Sequence, residues 1–395
     1  MKNLHRLSLL ASSLICTYAS AETQPYTLGQ IEVAGSSASS ISEKSTTAWH
    51  ISAEDIAARG VRTLDEALTL VPGLNVRNGG EGVPRIDMRG QRTRQIKLLI
   101  NGVPFNGSSD GQFNPSLIPV SQIQEIVVLT GAASVLYGEG GTAGVINVIT
   151  RRGAGATSGS VDMRVGSGGT RAVNSSIAGQ SGALDWFIAA DYATRDHFQL
   201  PKSYTATAEQ ATGARRNSDI DNSNVTGNFT YTVSKDLHIG LGINAGQGNQ
   251  GQPPGTLPST DPFAQTPRYE RKENIAQLST QLSVDWAASA STRLRGWMYT
   301  SSLNQDERRY DNSSYALLQN NRISGGFDKT TDSQTIGYHG QLEQILSDKL
   351  TLSLALDTRR ESYKENGRVR DVVGGGGGGG CLLYTSDAAD EGLGV

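Results

Sequence analysis

The chain has 395 residues, with 35 Lys and Arg against 38 Asp and Glu and a formal charge of −3. That balance, with no basic run, argues against nucleic acid as a partner. The two cysteines, Cys16 and Cys381, lie near opposite ends, so the body between them can hold no disulfide, zinc cluster or thiol nucleophile.

Lys2, His5 and Arg6 precede a short apolar stretch, Leu7 to Tyr18, and Ala19-Ser20-Ala21 forms an A-x-A cleavage site. The stretch is well short of the roughly 20 residues needed to cross a bilayer, so residues 1–21 read as a secretory signal. Residues 22–44 are small and polar, with one alternating island, Gln30-Ile31-Glu32-Val33-Ala34-Gly35. Such a segment is either an incidental linker or an extended peptide that adds a strand to a partner's sheet edge.

Residues 45–152 read as a compact mixed domain. Ser52-Ala53-Glu54-Asp55 and Thr63-Leu64-Asp65-Glu66 each place an acid three residues after an N-cap residue, so two short helices are expected to start there. The second should stop at Val71-Pro72-Gly73, because proline disfavours helix in the residue before it. Short strands follow at Leu74 to Arg77, Arg85 to Arg89 and Gln95 to Asn101, the last closed by a turn at Gly102-Val103-Pro104. Ile126 to Val128 and Val145 to Ile149 have the branched, apolar composition of buried strands, and five glycines lie between them from Gly131 to Gly144. Gly138-Glu139-Gly140-Gly141-Thr142 has neither the spacing nor the lysine of a phosphate loop.

These motifs carry a family resemblance. Ala133-Ser134-Val135-Leu136-Tyr137-Gly138 and Gly144-Val145-Ile146-Asn147-Val148-Ile149-Thr150 resemble the end of the plug domain of TonB-dependent outer-membrane receptors. Thr130 stands where that pattern commonly has a basic residue and Ala132 where it has proline. The order DEALTLVPGLNV, RIDMRG, LLINGVPF is similar to the same family across residues 45–152. The resemblance implies a signal-bearing protein of the Gram-negative outer membrane that imports a scarce nutrient with energy delivered by TonB. It makes Ile31, Glu32, Val33 and Ala34 the TonB box.

From residue 157 the pattern changes to long strands of period two. In Leu237 to Asn244, Leu278 to Trp286 and Leu350 to Asp357, large aliphatic residues alternate with polar or small ones. Periodicity alone fits a soluble sandwich or a membrane barrel equally. The signal, the plug resemblance and the uneven connections favour the barrel, and a mean hydropathy of −0.35 is what half-polar strands produce. Short turns near residues 181, 235, 290 and 348 alternate with long excursions at Phe198 to Ile220, Gln247 to Asn274 and Asn304 to Asp332. Trp186, Tyr192, Tyr231, Trp286 and Tyr299 could form interfacial girdles or pack in a core.

The expected fold is therefore an N-terminal α+β plug domain inside a transmembrane antiparallel β-barrel, with about nine strands in residues 157–373. Residues 374–395 break the pattern: a run of seven glycines precedes CLLYTSDAADEGLGV, which resembles translated adapter sequence and marks a foreign tail. Barrels of plugged transporters have roughly 22 strands, so the chain as written is expected to hold an incomplete barrel that does not insert by itself.

No catalytic residues, metal ligands or cofactor site are expected. The five histidines are scattered without HExxH spacing, and Asp185 and Asp191 share a strand face as a solvated wall. The resemblance places ligand binding on the plug loops at Asn78, Glu81, Asn106, Asp110, Gln112 and Phe113. The neighbouring Arg77, Arg85, Arg89, Arg92, Arg94 and Lys97 either attract an anionic metal chelate or pair with carboxylates on the barrel wall. The expected partners are TonB, outer-membrane lipid and a small ligand. A ferric siderophore leads the ligand list, followed by cobalamin, haem, copper or oligosaccharide. A passive porin and a signalling receptor are the readings from other classes. The signalling reading is disfavoured by the short segment before the box.

Overall fold

The computed structural model describes residues 47–369 apart from 79–82, 108–110, 112, 131–140, 154, 258–259, 262–266, 317–325 and 348. The segments expected to be the secretory signal and the TonB box, most of the glycine-rich hinge and the glycine tail lie outside the described residues.

The first unit is the expected α+β domain. Strand β1 (Thr47–Ser52) leads into helix α1 (Ala53–Arg59), whose capping box is complete: the Asp55 amide donates to Ser52 Oγ at 3.1 Å, and the Ser52 amide donates to Asp55 at 3.1 Å. Helix α2 (Leu64–Leu68) lacks the expected cap. Thr63 makes no side-chain cap bond, and Glu66 reaches back to the Arg62 amide at 2.8 Å. Strands β2 (Leu74–Asn78) and β3 (Pro84–Met88) form a hairpin.

Strands β4 (Ile96–Ile100) and β5 (Val103–Pro104) form a second hairpin, with Asn101 and Gly102 at φ 50° and 80°. Two positive φ values suit an Asn-Gly hairpin turn. Strands β6 (Ile123–Thr130) and β7 (Gly144–Thr150) complete a five-stranded sheet in the order β1-β6-β7-β4-β5, with β4 and β7 parallel. The polar sequence of β1 gave no strand signal; its pairing with β6 makes it an edge strand.

Gly144 lets this sheet close. At φ 152°, a Cβ there would lie 2.2 Å from the Leu129 carbonyl oxygen and 2.4 Å from Met88 Sδ. The core packs Ile56, Leu64, Leu68, Ile86, Met88, Leu98, Ile126 and Ile146 between sheet and helices.

The second unit is one antiparallel sheet of nine strands in sequence order: β8 (Ser158–Gly166), β9 (Thr170–Ser181), β10 (Leu184–Arg195), β11 (Ile220–Ser234), β12 (Leu237–Gln252), β13 (Tyr269–Ser289), β14 (Thr292–Tyr310), β15 (Phe327–Ser347) and β16 (Leu350–Val369). Strand count and short turns match the expectation. Two of the long excursions do not, because β12 and β13 extend to Gln252 and Tyr269, and β14 and β15 to Tyr310 and Phe327. Ion pairs carry these extensions where apolar alternation has ended: Lys272 with Glu307 at 3.2 Å, Arg271 with Asp219 at 2.7 Å, and Arg309 with Glu270 at 2.6 Å.

The two sheet faces differ completely. Leu241, Leu282, Met298 and Tyr338 are neighbours in register across β12 to β15, and all four are exposed. On the other face, Thr226, Asn228, Gln281, Ser283, His339 and Gln341 are buried. The plug covers this polar face. Tyr192, Tyr231 and Trp286 are exposed, Tyr231 in register with exposed Ile239 on the apolar face, whereas Tyr299 lies on the polar face, packed with Trp297 and plug Val103.

Candidate functional site: the plug–wall interface and its two cavities

The interface is built from polar side chains whose partners stand on opposite units. In the turn Val120–Gln122, Gln122 accepts hydrogen bonds from Thr226 Oγ1 and, at 3.3 Å, from Asn244 Nδ2. Ser121 donates to Asp191. Asn228 donates to Thr150 Oγ1 and to the Arg151 carbonyl, both at 2.8 Å, while Gln281 donates to the Asn101 carbonyl at 2.9 Å. These bonds satisfy buried polar groups that a solely apolar contact would strand. Asp191, expected in a solvated wall, is instead 8% exposed and tied to the plug.

Two cavities open between the units towards the long-loop ends of the strands. The first, about 340 Å³, lies between plug residues 83–85, 104–107 and 113–117 and the extended ends of β12 to β15. Its lining carries six cations, Arg85, Arg268, Arg271, Lys272, Arg308 and Arg309, against the carboxylates of Glu270 and Glu307. Asp219 and Glu273, which hold Arg271 and Arg308, stand outside the lining. Burial alone would raise the Asp219 pKa, but the Arg271 guanidinium outweighs it and holds the carboxyl below its usual range. The second cavity, about 450 Å³, lies between α2, the turn before β6 and strands β9 to β12.

The expected ligand residues fall unevenly. Asn106 lines the first cavity, but its side chain clamps the loop: it accepts from the Leu98 amide at 2.8 Å and donates to the Ile96 and Gly111 carbonyls at 2.9 and 2.8 Å. Phe113 also lines it, yet is 5% exposed and belongs to the plug core. Asn78 ends β2, and Glu81, Asp110 and Gln112 lie outside the described residues. Of the plug cations, Arg77 pairs with Asp87 of its own hairpin at 2.5 Å, not with the wall. Lys97 is buried and lies near Asp357 of β16.

Sequence reading missed the cations of the strand extensions and the interface glutamines and asparagines. The mixed charges of the 269–273 and 305–309 segments were the available signal, but they read as loop. Among the described residues no cluster of metal-ligating side chains occurs.

Residues 40–145 match the family described as TonB-dependent Receptor Plug Domain. A vitamin B12 transporter, BtuB, of Photobacterium profundum is 31% identical over 137 residues, covering 34% of this chain and 23% of the transporter. The ferric enterobactin receptor PirA of Pseudomonas aeruginosa is 26% identical over 226 residues, covering 51% and 30%. Among solved structures, the copper transporter OprC superposes with a TM-score of 0.64 at 17% identity, covering 81% of this chain and 47% of that one. The unliganded ferric citrate transporter FecA gives 0.62 at 15%, covering 84% and 49%. The chain thus spans under a third of these sequence relatives and about half of the solved chains.

Proposed function

Because the chain belongs to the TonB-dependent receptors and carries their plug with part of their barrel, we propose that the whole protein is an outer-membrane importer of an anionic metal chelate, most simply a ferric siderophore. The plug faces the periplasm with its N-terminal segment, and the long-loop ends face outward. The observation that carries the ligand class is the lining of the first cavity, where cations outnumber carboxylates six to two. Such a surface concentrates anions and raises their rate of encounter. Arg268, exposed at the mouth, and Arg309, held by Glu270, are the residues to meet the ligand first.

Nothing in this arrangement requires bond-making chemistry; the protein acts by binding and movement. Energy enters through Ile31, Glu32, Val33 and Ala34, which add as a strand to TonB. In the whole protein, Val33→Pro should leave ligand binding intact and abolish uptake, because proline lacks the amide that strand addition needs. Unchanged uptake of the labelled chelate by that variant would remove the box assignment. Passive passage, as in a porin, predicts that uptake survives it.

A second reading, cobalamin, is favoured by the similarity to a vitamin B12 transporter. Equilibrium binding of a ferric tricatecholate and of cyanocobalamin separates the two. The anion reading expects the chelate to bind and Arg268→Glu with Arg309→Glu to weaken it about tenfold or more; preferential binding of cyanocobalamin would overturn it.

A further inference from the structure

Residues 196–219, between β10 and β11, fold into a lobe of their own. Its two limbs pair through the Leu200 amide to the Gly213 carbonyl at 2.6 Å and the Arg215 amide to the Phe198 carbonyl at 2.8 Å. Gln210, 1% exposed, fills the bend: its Nε2 donates to the Ala211 and Ala214 carbonyls at 2.6 and 2.8 Å, and its Oε1 accepts from Arg215 Nη1 and the Arg216 amide at 2.8 and 2.9 Å. A connection whose buried polar groups are satisfied in this way holds one shape.

The lobe is fastened to the extended ends of β12 and β13. Side chains alternate across a strand, so Glu270 and Arg309, which pair in register and line the first cavity, stand on the opposite face from the next pair, Tyr269 and Tyr310. From that far face Tyr269 donates its hydroxyl to Glu209 of the lobe. Asn217 makes the central contact. Its Nδ2 donates to the Gln252 and Glu270 carbonyls, both at 2.7 Å, at the last residue pair of the β12–β13 ladder, and its Oδ1 accepts from Arg271 at 2.6 Å. Asn217 sits at φ 52°, a conformation that asparagine adopts more readily than most residues. Gly251 admits it: a Cβ there would lie 2.6 Å from both the carbonyl and the side-chain oxygen of Asn217.

We propose that Asn217 is a positioning residue for the anion site: by tying the ends of β12 and β13 together it fixes Glu270, and through Glu270 the guanidinium of Arg309. The inference rests on the anion reading of the first cavity. Beyond Gln252 and Glu270 the ladder supplies no further rung, so the Asn217 amide is what closes it. Glu270 is 8% exposed and accepts from Arg309 Nε at 2.6 Å, so a shift of its backbone moves the cation with it. A charged contact held in place before the ligand arrives costs less to form than one that must be ordered on binding. The lobe thus acts as a brace for the cavity wall.

The test is a double-mutant cycle read by equilibrium binding of a ferric tricatecholate to the whole protein in detergent micelles. Asn217→Asp keeps an oxygen for Arg271 and removes both donated bonds. Gly251→Ala displaces Asn217 from the opposing strand without changing charge, and serves if the first variant folds poorly. Each alone is expected to weaken binding about fivefold or more, and by less than about twofold in an Arg309→Gln background, where the guanidinium is already gone. A loss of the same factor in both backgrounds, as a general loosening of the wall would give, or no loss from either variant, would overturn the positioning role. No binding by the unsubstituted protein would overturn the anion reading itself, and this inference with it.

Discussion

At the scale of single residues, Gly144 is where backbone and sequence constrain each other most tightly. A methyl at this position has to enter the space of a carbonyl oxygen and a buried sulfur at a φ that favours glycine. Gly144→Ala should therefore destabilise the plug by about 1–3 kcal/mol, seen as a lower denaturant midpoint with an unchanged slope. Asp55 offers a second check. Hydrogen bonds from the Ser52 amide, then from its hydroxyl, hold the Asp55 carboxyl below its ordinary value. For a carboxylate lowered in the folded state, the stabilisation is complete above the unfolded value of about 3.9 and is lost as pH falls through the folded one. The protection of the α1 amides, corrected for intrinsic exchange, should fall on acidification below about pH 4, and Asp55→Asn should abolish that change; protection that does not vary with pH in the wild type would contradict the assignment. The Ser52 cap was legible because both of its members lie within four residues. The Thr63 cap was misread for the opposite reason: Glu66 takes a competing partner, the Arg62 amide, and Thr63 is drawn into a bridge with Pro119, distant in sequence.

At the scale of elements, alternation located the strands but not their ends. Leu278 to Trp286 carries a clear period of two, whereas Tyr269 to Glu273 has charges on both faces and reads as loop. Those charges pair across strands: Lys272 with Glu307, and Arg308 with Asp328 at 3.1 Å. Cross-strand partners are set by register, which no short window of sequence contains. The same limit hid the turn Val120–Gln122. Nothing local marks Gln122 as special, yet its side chain is 2% exposed and joins the plug to β11 and β12. Gln122→Ala removes the bonds that Thr226 and Asn244 make to the plug, leaving those they make to Asn224 on the wall, and should loosen the plug by about 1–3 kcal/mol. The measurable sign is faster proteolysis within residues 47–152 while the strands of the wall stay protected; unchanged cleavage would mean that the contact carries no load.

At the scale of the molecule, the decisive question was which sheet face meets water, and periodicity could not answer it. The structure answers by what covers each face. The plug lies against Thr226, Asn228 and Gln281, leaving Leu241, Leu282, Met298 and Tyr338 as a continuous apolar row that none of the described residues covers. In a soluble sandwich such a row would be the core; here it is the surface for lipid. Leu282→Arg should cost about 2–4 kcal/mol of insertion free energy if the row sits at the bilayer midplane, read as lost membrane integration of the whole protein. An equally large loss for Ser279→Arg, on the cavity-lining face, would argue against that orientation.

The central claim is that the N-terminal unit sits against the polar face of the strands as a stopper while their apolar face meets lipid. The most direct measurement is cross-linking in isolated outer membranes of the whole protein carrying Gln122→Cys and Thr226→Cys, with its native cysteines replaced. The account predicts that a short thiol-specific reagent joins plug to wall in high yield, while Gln122→Cys paired with Leu282→Cys on the opposite face gives none. Cross-linking only of the second pair, or of neither in membrane-inserted protein, would contradict it.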